Sequence, residues 1–241
     1  MAAHIVCRNA FKTGQPFSAV YYGQAQQACA QAGSTFGPQG ACLSPCHPER
    51  GEPKKAQRFA EEHDNWMQEA LSDLPSPVPF EDGSDLPILG QDRRIHIFYD
   101  EALRTTSINL KFKELIVTTN KEDPTARIER ALKRIAKKEL TALAQQKAEE
   151  IGETIEKISV RDTKSRWGSC SSDGNLSFSW RLLFAPEEAF DYVVAHEVAH
   201  LVHMDHSRSF WKLCRSLSDN FIEGQYWMRE HGHELMRYGA R

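Results

Sequence analysis

His196-Glu197-Val198-Ala199-His200, followed by His206, is the stretch of this 241-residue chain whose residue types and spacing can do chemistry. Four of the ten histidines (His196, His200, His203 and His206) fall within eleven residues. On a helix, two histidines four apart share a face, with Cβ atoms roughly 5–6 Å apart. That gap suits two imidazoles converging on one ion at about 2.0–2.1 Å, the usual zinc–nitrogen distance. Glu197 stands beside the pair, where its carboxylate can take a proton from an activated water. A His-Glu-x-x-His run arises by chance on the order of once in a hundred chains of this size. The chemistry expected is hydrolysis, with His196 and His200 as metal ligands and Glu197 as catalytic base.

A catalytic zinc takes three protein ligands and keeps its fourth position open. His206 is the favoured third ligand, because Met204-Asp205 lets the helix end and the chain turn back. His203 sits seven residues from His196, roughly 10 Å along a helix axis, too far to share the ion easily. Glu223, Glu230 and Glu234 are the carboxylate alternatives on later helices.

These side chains need elements to position them. Pro186-Glu187-Glu188 opens the metal helix, with proline in the first turn and carboxylates at the positive end of the dipole. Val194, Val198, Leu201 and Val202 make its apolar face, beside a face of Val193, His196, Glu197 and His200. Ser207 reads as the N-cap of a following helix that buries Phe210, Leu213, Cys214 and Leu217. Upstream, Lys157–Arg161 reads as a strand and Arg166–Cys170 as extended chain. A turn at Ser172-Asp173-Gly174-Asn175 leads into a returning strand in which Leu176, Phe178 and Trp180 alternate with serines. Further strands are expected at 94–99 and 114–119. A long helix is expected from Asp123-Pro124 to Ile151, stopped by Gly152, with Ile128, Leu132, Ile135 and Leu143 buried.

Residues 1–52 carry four of the six cysteines, are rich in Gln, Gly, Ala and Pro, and show no sustained period. They read as an atypical, poorly structured segment ahead of a hydrolase domain at 53–241. Cys42-x-x-x-Cys46-His47 has no second pair to complete a metal knuckle. Residues 53–74 read as an amphipathic helix ended by the tract Pro75–Pro79.

A net charge of −3 gives no reason to expect nucleic acid or anionic membrane as partner. Arg127, Arg130, Arg134, Lys137 and Lys138 form a basic stripe, but acids interleave it, so it reads as a solvated face. No apolar run approaches the roughly 20 residues that span a bilayer. Six cysteines and no apolar leader fit a cytoplasmic protein with reduced thiols.

Several motifs occur in order. They are Arg166-Trp-Gly-Ser-Cys-Ser171, Asn175-Leu-Ser-Phe-Ser-Trp-Arg-Leu-Leu183, Ala185-Pro186, Asp191-Tyr-Val-Val194, His196-Glu-Val-Ala-His200 and His206-Ser-Arg-Ser-Phe-Trp211. With Trp66, Phe80–Gly83 and Leu89-Gly90, they give the chain a resemblance to the YgjP-like family of predicted zinc metallopeptidases over roughly 53–238. The metzincins share the histidine spacing but place glycine where this chain has His203, so the chain does not resemble them. The YgjP-like resemblance implies an α+β zincin-like domain with a small mixed sheet, a β-hairpin and the active-site helix followed by C-terminal helices. It also implies a metal held by His196, His200 and His206, with Glu197 as base. Residues 1–52 lack the β-rich alternation usual in such relatives.

The function expected is a metallohydrolase carrying one Zn2+ or another divalent transition metal, most simply a metallopeptidase acting on peptide or protein. Two alternatives remain. One is a phosphohydrolase acting on nucleoside triphosphates, although three imidazoles suit zinc better than the magnesium such sites use. The other is a non-catalytic module stapled by zinc, in which Glu197 has no purpose. Tyr226, His231 and Arg208 are candidate donors to the reacting carbonyl. The 157–180 hairpin should flank the cleft, with Trp167 and Ser169 able to shape it, and Cys170 reads as a structural thiol.

Overall fold

The computed structural model describes residues 76–163 and 165–239, and the backbone of residues 34–36 and 42–45. Within the segment to which the sequence assigns no element, β1 (Ser34–Phe36) and β2 (Cys42–Pro45) pair antiparallel. They belong to a unit separate from residues 77 onward. The helix expected over 53–74 and the Cys46-His47 half-knuckle lie outside the described residues.

From Pro77 the chain builds an α+β arrangement. β3 (Asp85–Ile88), β4 (Gln91–Tyr99), β5 (Ser107–Leu110) and β6 (Glu114–Thr119) form a mixed sheet in the order β3-β4-β6-β5. β4 and β6 run parallel and the other pairs antiparallel. Period-two alternation buries Leu86, Ile88, Ile95, Leu115 and Val117 on one face. The β3–β4 turn places Leu89 and Gly90 at positive φ, 51° and 70°. Its tip lies against the start of the helix that begins at Glu187: a Cβ on Gly90 would stand 3.4 Å from the Glu187 amide nitrogen. Arg93 is buried beneath this turn, where it donates to the carbonyls of Lys111, Ile88 and Gln91.

α1 (Thr125–Glu150) begins one residue later than the sequence suggests. Pro124 takes the cap position, and the Asp123 carboxylate accepts from the Thr125 amide at 2.9 Å. Gly152, at φ 73°, ends it as expected. Ile128, Leu132 and Leu140 are buried with Ala131, Ala136, Ala144 and Ala148, while Ile135 and Leu143 only flank the core. Small residues dominate this face because α1 packs closely on its neighbours. The basic stripe from Arg127 to Lys138 faces solvent.

A second sheet joins β7 (Lys157–Arg161), β8 (Gly168–Cys170) and β9 (Asn175–Ser179) in the order β7-β9-β8. β8 and β9 form the expected hairpin, with Gly174 at φ 74° donating to the Ser171 carbonyl at 3.0 Å. β7 lies parallel to β9, which leaves β8 at the edge. Trp180 starts a 3-10 turn rather than ending the strand, and its ring meets Phe80 and Phe184 in the core.

α2 (Glu187–Ala199), α3 (Arg208–Ser216), α4 (Phe221–Glu230) and a 3-10 segment (Gly232–Arg237) complete the unit. α2 is buried almost all round, as befits a central helix. It stops at Ala199, so Leu201 is only half-buried and Val202 is exposed, instead of extending its apolar face. α4 crosses α2 closely at Gly224, where a Cβ would collide with the Glu188 carbonyl oxygen. Among the described residues, no helix is long and apolar enough to cross a membrane.

Candidate metal centre

The last turn of α2 carries His196 and Glu197, and His200 occupies its C-cap in right-handed helical geometry. The chain then leaves the helix through a tight turn in which the His203 amide donates to the Ala199 carbonyl at 3.0 Å. Asp205 accepts from the Ser207 amide at 3.2 Å, and the Ser207 hydroxyl caps α3 by accepting from Phe210. This double cap swings His206 back over α2. Its ring centroid lies 5.1 Å from that of His196 and 4.8 Å from that of His200. Phe210 stacks on His200 at 4.5 Å and meets His206 edge-on at 4.6 Å, so α3 supplies an apolar floor.

One nitrogen from each of His196, His200 and His206 lies within 4.8 Å of the others. The Nε2 atoms of His196 and His206 are 3.2 Å apart. Two tetrahedral ligands at the zinc–nitrogen distance would stand about 3.3 Å apart, so this pair already has the spacing of a shared ion. His200 Nδ1 lies 2.9 Å from the His203 carbonyl oxygen. A carbonyl can only accept, so this nitrogen carries the proton and Nε2 keeps its lone pair for a ligand. Burial holds all three imidazoles below their ordinary pKa, His196 down to about 3 with His200 and His206 adding to the effect. Neutral rings with free lone pairs are what a divalent metal requires. The residues present therefore fit a metal ion.

Glu197 is 3% exposed, and burial pushes its carboxyl up to about 8 against the opposing charge of Arg166. Gly168 on β8 lies directly against it. A Cβ there would come within 2.5 Å of Glu197 Cγ and Oε1. β8 alternates as a strand should: Gly168 faces Glu197, and the thiol of Cys170 senses the same carboxylate. Burial, followed by that carboxylate, pushes Cys170 up to about 12, so it remains an inert thiol. Trp167 points elsewhere, its Nε1 lying 3.3 Å from where a Gly232 Cβ would be.

The structure thus brings His196, His200 and His206 together, while Glu197, the next residue to His196 on α2, is buried against Gly168 of β8. His203 contributes its carbonyl oxygen and not its ring to this arrangement. The carboxylate alternatives are engaged elsewhere or exposed. Glu234 accepts from His231 Nδ1 at 2.8 Å, Glu230 pairs with Arg229, and Glu223 faces solvent. One of the candidate carbonyl donors is also engaged, His231 being held by Glu234, while Arg229 lies over the ring of Tyr226.

Sequence reading missed two supports. The Lys147 ammonium, 7% exposed, pairs with Asp191 of α2 at 2.6 Å and donates to the Leu217 carbonyl at the end of α3. It thereby ties α1 to both helices of the centre. The Gly168–Glu197 contact was also missed, although a lone glycine in a strand does signal close approach of another group.

No curated protein matches the chain. Among solved structures, the metallopeptidase zymogen abylysin of Pyrococcus abyssi is similar, at 22% identity and a TM-score of 0.34. That match covers 39% of this chain and 95% of abylysin. The family model described as YgjP-like, metallopeptidase domain matches residues 46–231, most of the chain; the protein belongs to the YgjP-like metallopeptidase family.

Proposed function

We propose that this protein is a zinc-dependent metallopeptidase that hydrolyses peptide bonds, with residues 53–241 as the hydrolase domain. His196, His200 and His206 hold the ion, each through a neutral imidazole. A zinc ion held by these three residues would supply Lewis acidity and would lower the pKa of a water molecule. Glu197 takes the proton from the attacking water and delivers it to the departing amine nitrogen. Gly168 leaves room for the carboxylate to do so. Among the described residues β8 has an unpaired strand edge beside Glu197, along which an extended peptide can align by main-chain hydrogen bonds.

The observation that carries this reading is a cluster of three imidazoles, two of them on the helical stretch that also carries the buried carboxyl group of Glu197. A structural zinc staple needs no such carboxyl. Glu197→Gln is expected to retain metal and fold while losing on the order of 1,000-fold in turnover. Metal analysis of the purified variant, beside hydrolysis of unfolded casein and of a nucleoside triphosphate panel, checks both parts. Full turnover by Glu197→Gln would refute the base. Release of phosphate without cleavage of casein would replace the peptidase reading with a phosphohydrolase.

A further inference from the structure

His200 has a hydrogen bond to aim its ring, with Nδ1 at 2.9 Å from the His203 carbonyl oxygen. The other two imidazoles of the cluster lack one. His196 Nδ1 is buried without a partner. Among the described residues, the atom within hydrogen-bond distance of the His206 ring is His196 Nε2, with which it would share an ion. Metal-ligating imidazoles ordinarily donate their second N–H to a carbonyl, a carboxylate or water, which fixes the ring on the ion. For His196 and His206, packing has to supply that orientation.

Apart from His200, two residues have rings that meet both of these imidazoles: Phe210 and Trp211, consecutive on α3. The Trp211 ring lies 5.7 Å from that of His196 and 5.4 Å from that of His206, centroid to centroid, at interplanar angles of 63° and 42°. Both separations fall in the roughly 4.5–7 Å range over which aromatic rings attract. Phe210 is fully buried, so core packing alone accounts for its place. Trp211 is only half-buried, and its further ring neighbours are Phe210 at 4.9 Å and Phe221 of α4 at 6.1 Å. Phe221 also meets Tyr192 of α2 at 5.2 Å, so the indole links the two imidazoles to the join of α2 and α4.

We propose that Trp211 is a positioning residue for the metal centre. Its ring keeps the His196 and His206 imidazoles turned toward the ion, as the His203 carbonyl does for His200. This inference rests on the reading of the three histidines as metal ligands. Trp211 neither binds the ion nor moves a proton. Its effect is on affinity, because rings already held in the binding orientation lose little further freedom when the metal arrives.

The test uses the full-length protein, with the Kd for Zn2+ read by competition with a chromophoric chelator. Trp211→Leu keeps apolar bulk but removes the flat ring. It should weaken Zn2+ binding by about 10–100-fold, the usual loss when a group that orients a metal ligand is removed. Trp211→Phe restores a ring and should stay within about threefold of the unaltered protein. Trp227 is another partly buried tryptophan packed on the core, but its ring meets His231 rather than the cluster. Trp227→Leu should therefore leave the affinity within about twofold. Zinc binding by Trp211→Leu as tight as in the unaltered protein overturns the proposal. So does equal weakening in Trp227→Leu, which would mark a general loss of stability. Equal weakening in Trp211→Phe also overturns it, since ring packing would then not be what aims the imidazoles. A second measurement holds even if Trp211→Leu does not fold. Bound Ni2+ quenches a neighbouring indole, so it should lower the emission of the unaltered protein by more than that of Trp211→Phe. Equal quenching in both overturns the proposal. If the unaltered protein binds neither Zn2+ nor Ni2+, the metal-centre reading itself falls and takes this one with it.

Discussion

Glu197 is enclosed on the side where Gly168 passes, and that contact tells most about how single residues tune this centre. Any side chain at residue 168 must displace the carboxyl group, because a Cβ would lie 2.5 Å from Cγ and Oε1. The three histidines are on the other elements of the centre and would keep their places. Gly168→Ala is therefore expected to bind metal normally yet lose about 100-fold in kcat, the scale of a misplaced catalytic group. Steady-state kinetics with metal analysis checks this. Normal turnover would show that the carboxyl position has slack. Three features here were legible from the sequence: His196 and His200 through helical spacing, His206 through the break at Met204-Asp205, and the Ser207 cap through its chemistry. Gly168 was not, because the partner it touches lies far along the chain and local pattern carries no record of it.

At the scale of elements, α2 is held from several sides. The β3–β4 turn meets its first residue, α4 crosses it at Gly224, and Lys147 of α1 grips it through Asp191. Lys147 fills the place where the helical pattern would set an apolar residue, which is why its role could not be read from the pattern. Its ammonium is buried and paired, so removing the charge strands Asp191 and a carbonyl at the end of α3. Lys147→Met should destabilise the protein by about 3 kcal/mol, near the lower end for a broken buried pair. Urea unfolding at neutral pH measures it, and a change below about 0.5 kcal/mol would class the pair with surface ion pairs. Strand and helix identities were largely legible from period and turn chemistry, as at β6, at the β8–β9 hairpin and at Gly152. The parallel pairing of β7 with β9 was not, since strand order depends on packing against α1 rather than on residues within the strand. The end of α2 also escaped the pattern, which ran on to Val202 because apolar residues continue past the helix.

For the molecule as a whole, the proposed metal centre sits at the junction of α2, the turn after it and α3. An ion that binds only this folded arrangement stabilises all three. Ligand at about a thousand times its Kd contributes about 4 kcal/mol, which for a domain of this size raises Tm by about 10 °C. Treatment with a chelator should lower Tm by that order, and re-addition of Zn2+ should restore it. A Tm indifferent to both would mean that the fold does not depend on the centre. Arg127, Arg130, Arg134, Lys137 and Lys138 stay solvated on the outer face of α1, in keeping with the small net charge read from composition.

The central claim is that three imidazoles and no thiolate gather at one ion, with one position left for water. X-ray absorption at the zinc edge of the purified protein measures that shell directly. Three imidazole nitrogens and one further light atom at about 2.0–2.1 Å are the expected result. A sulfur scatterer at about 2.3 Å, or fewer than three imidazoles, would contradict it.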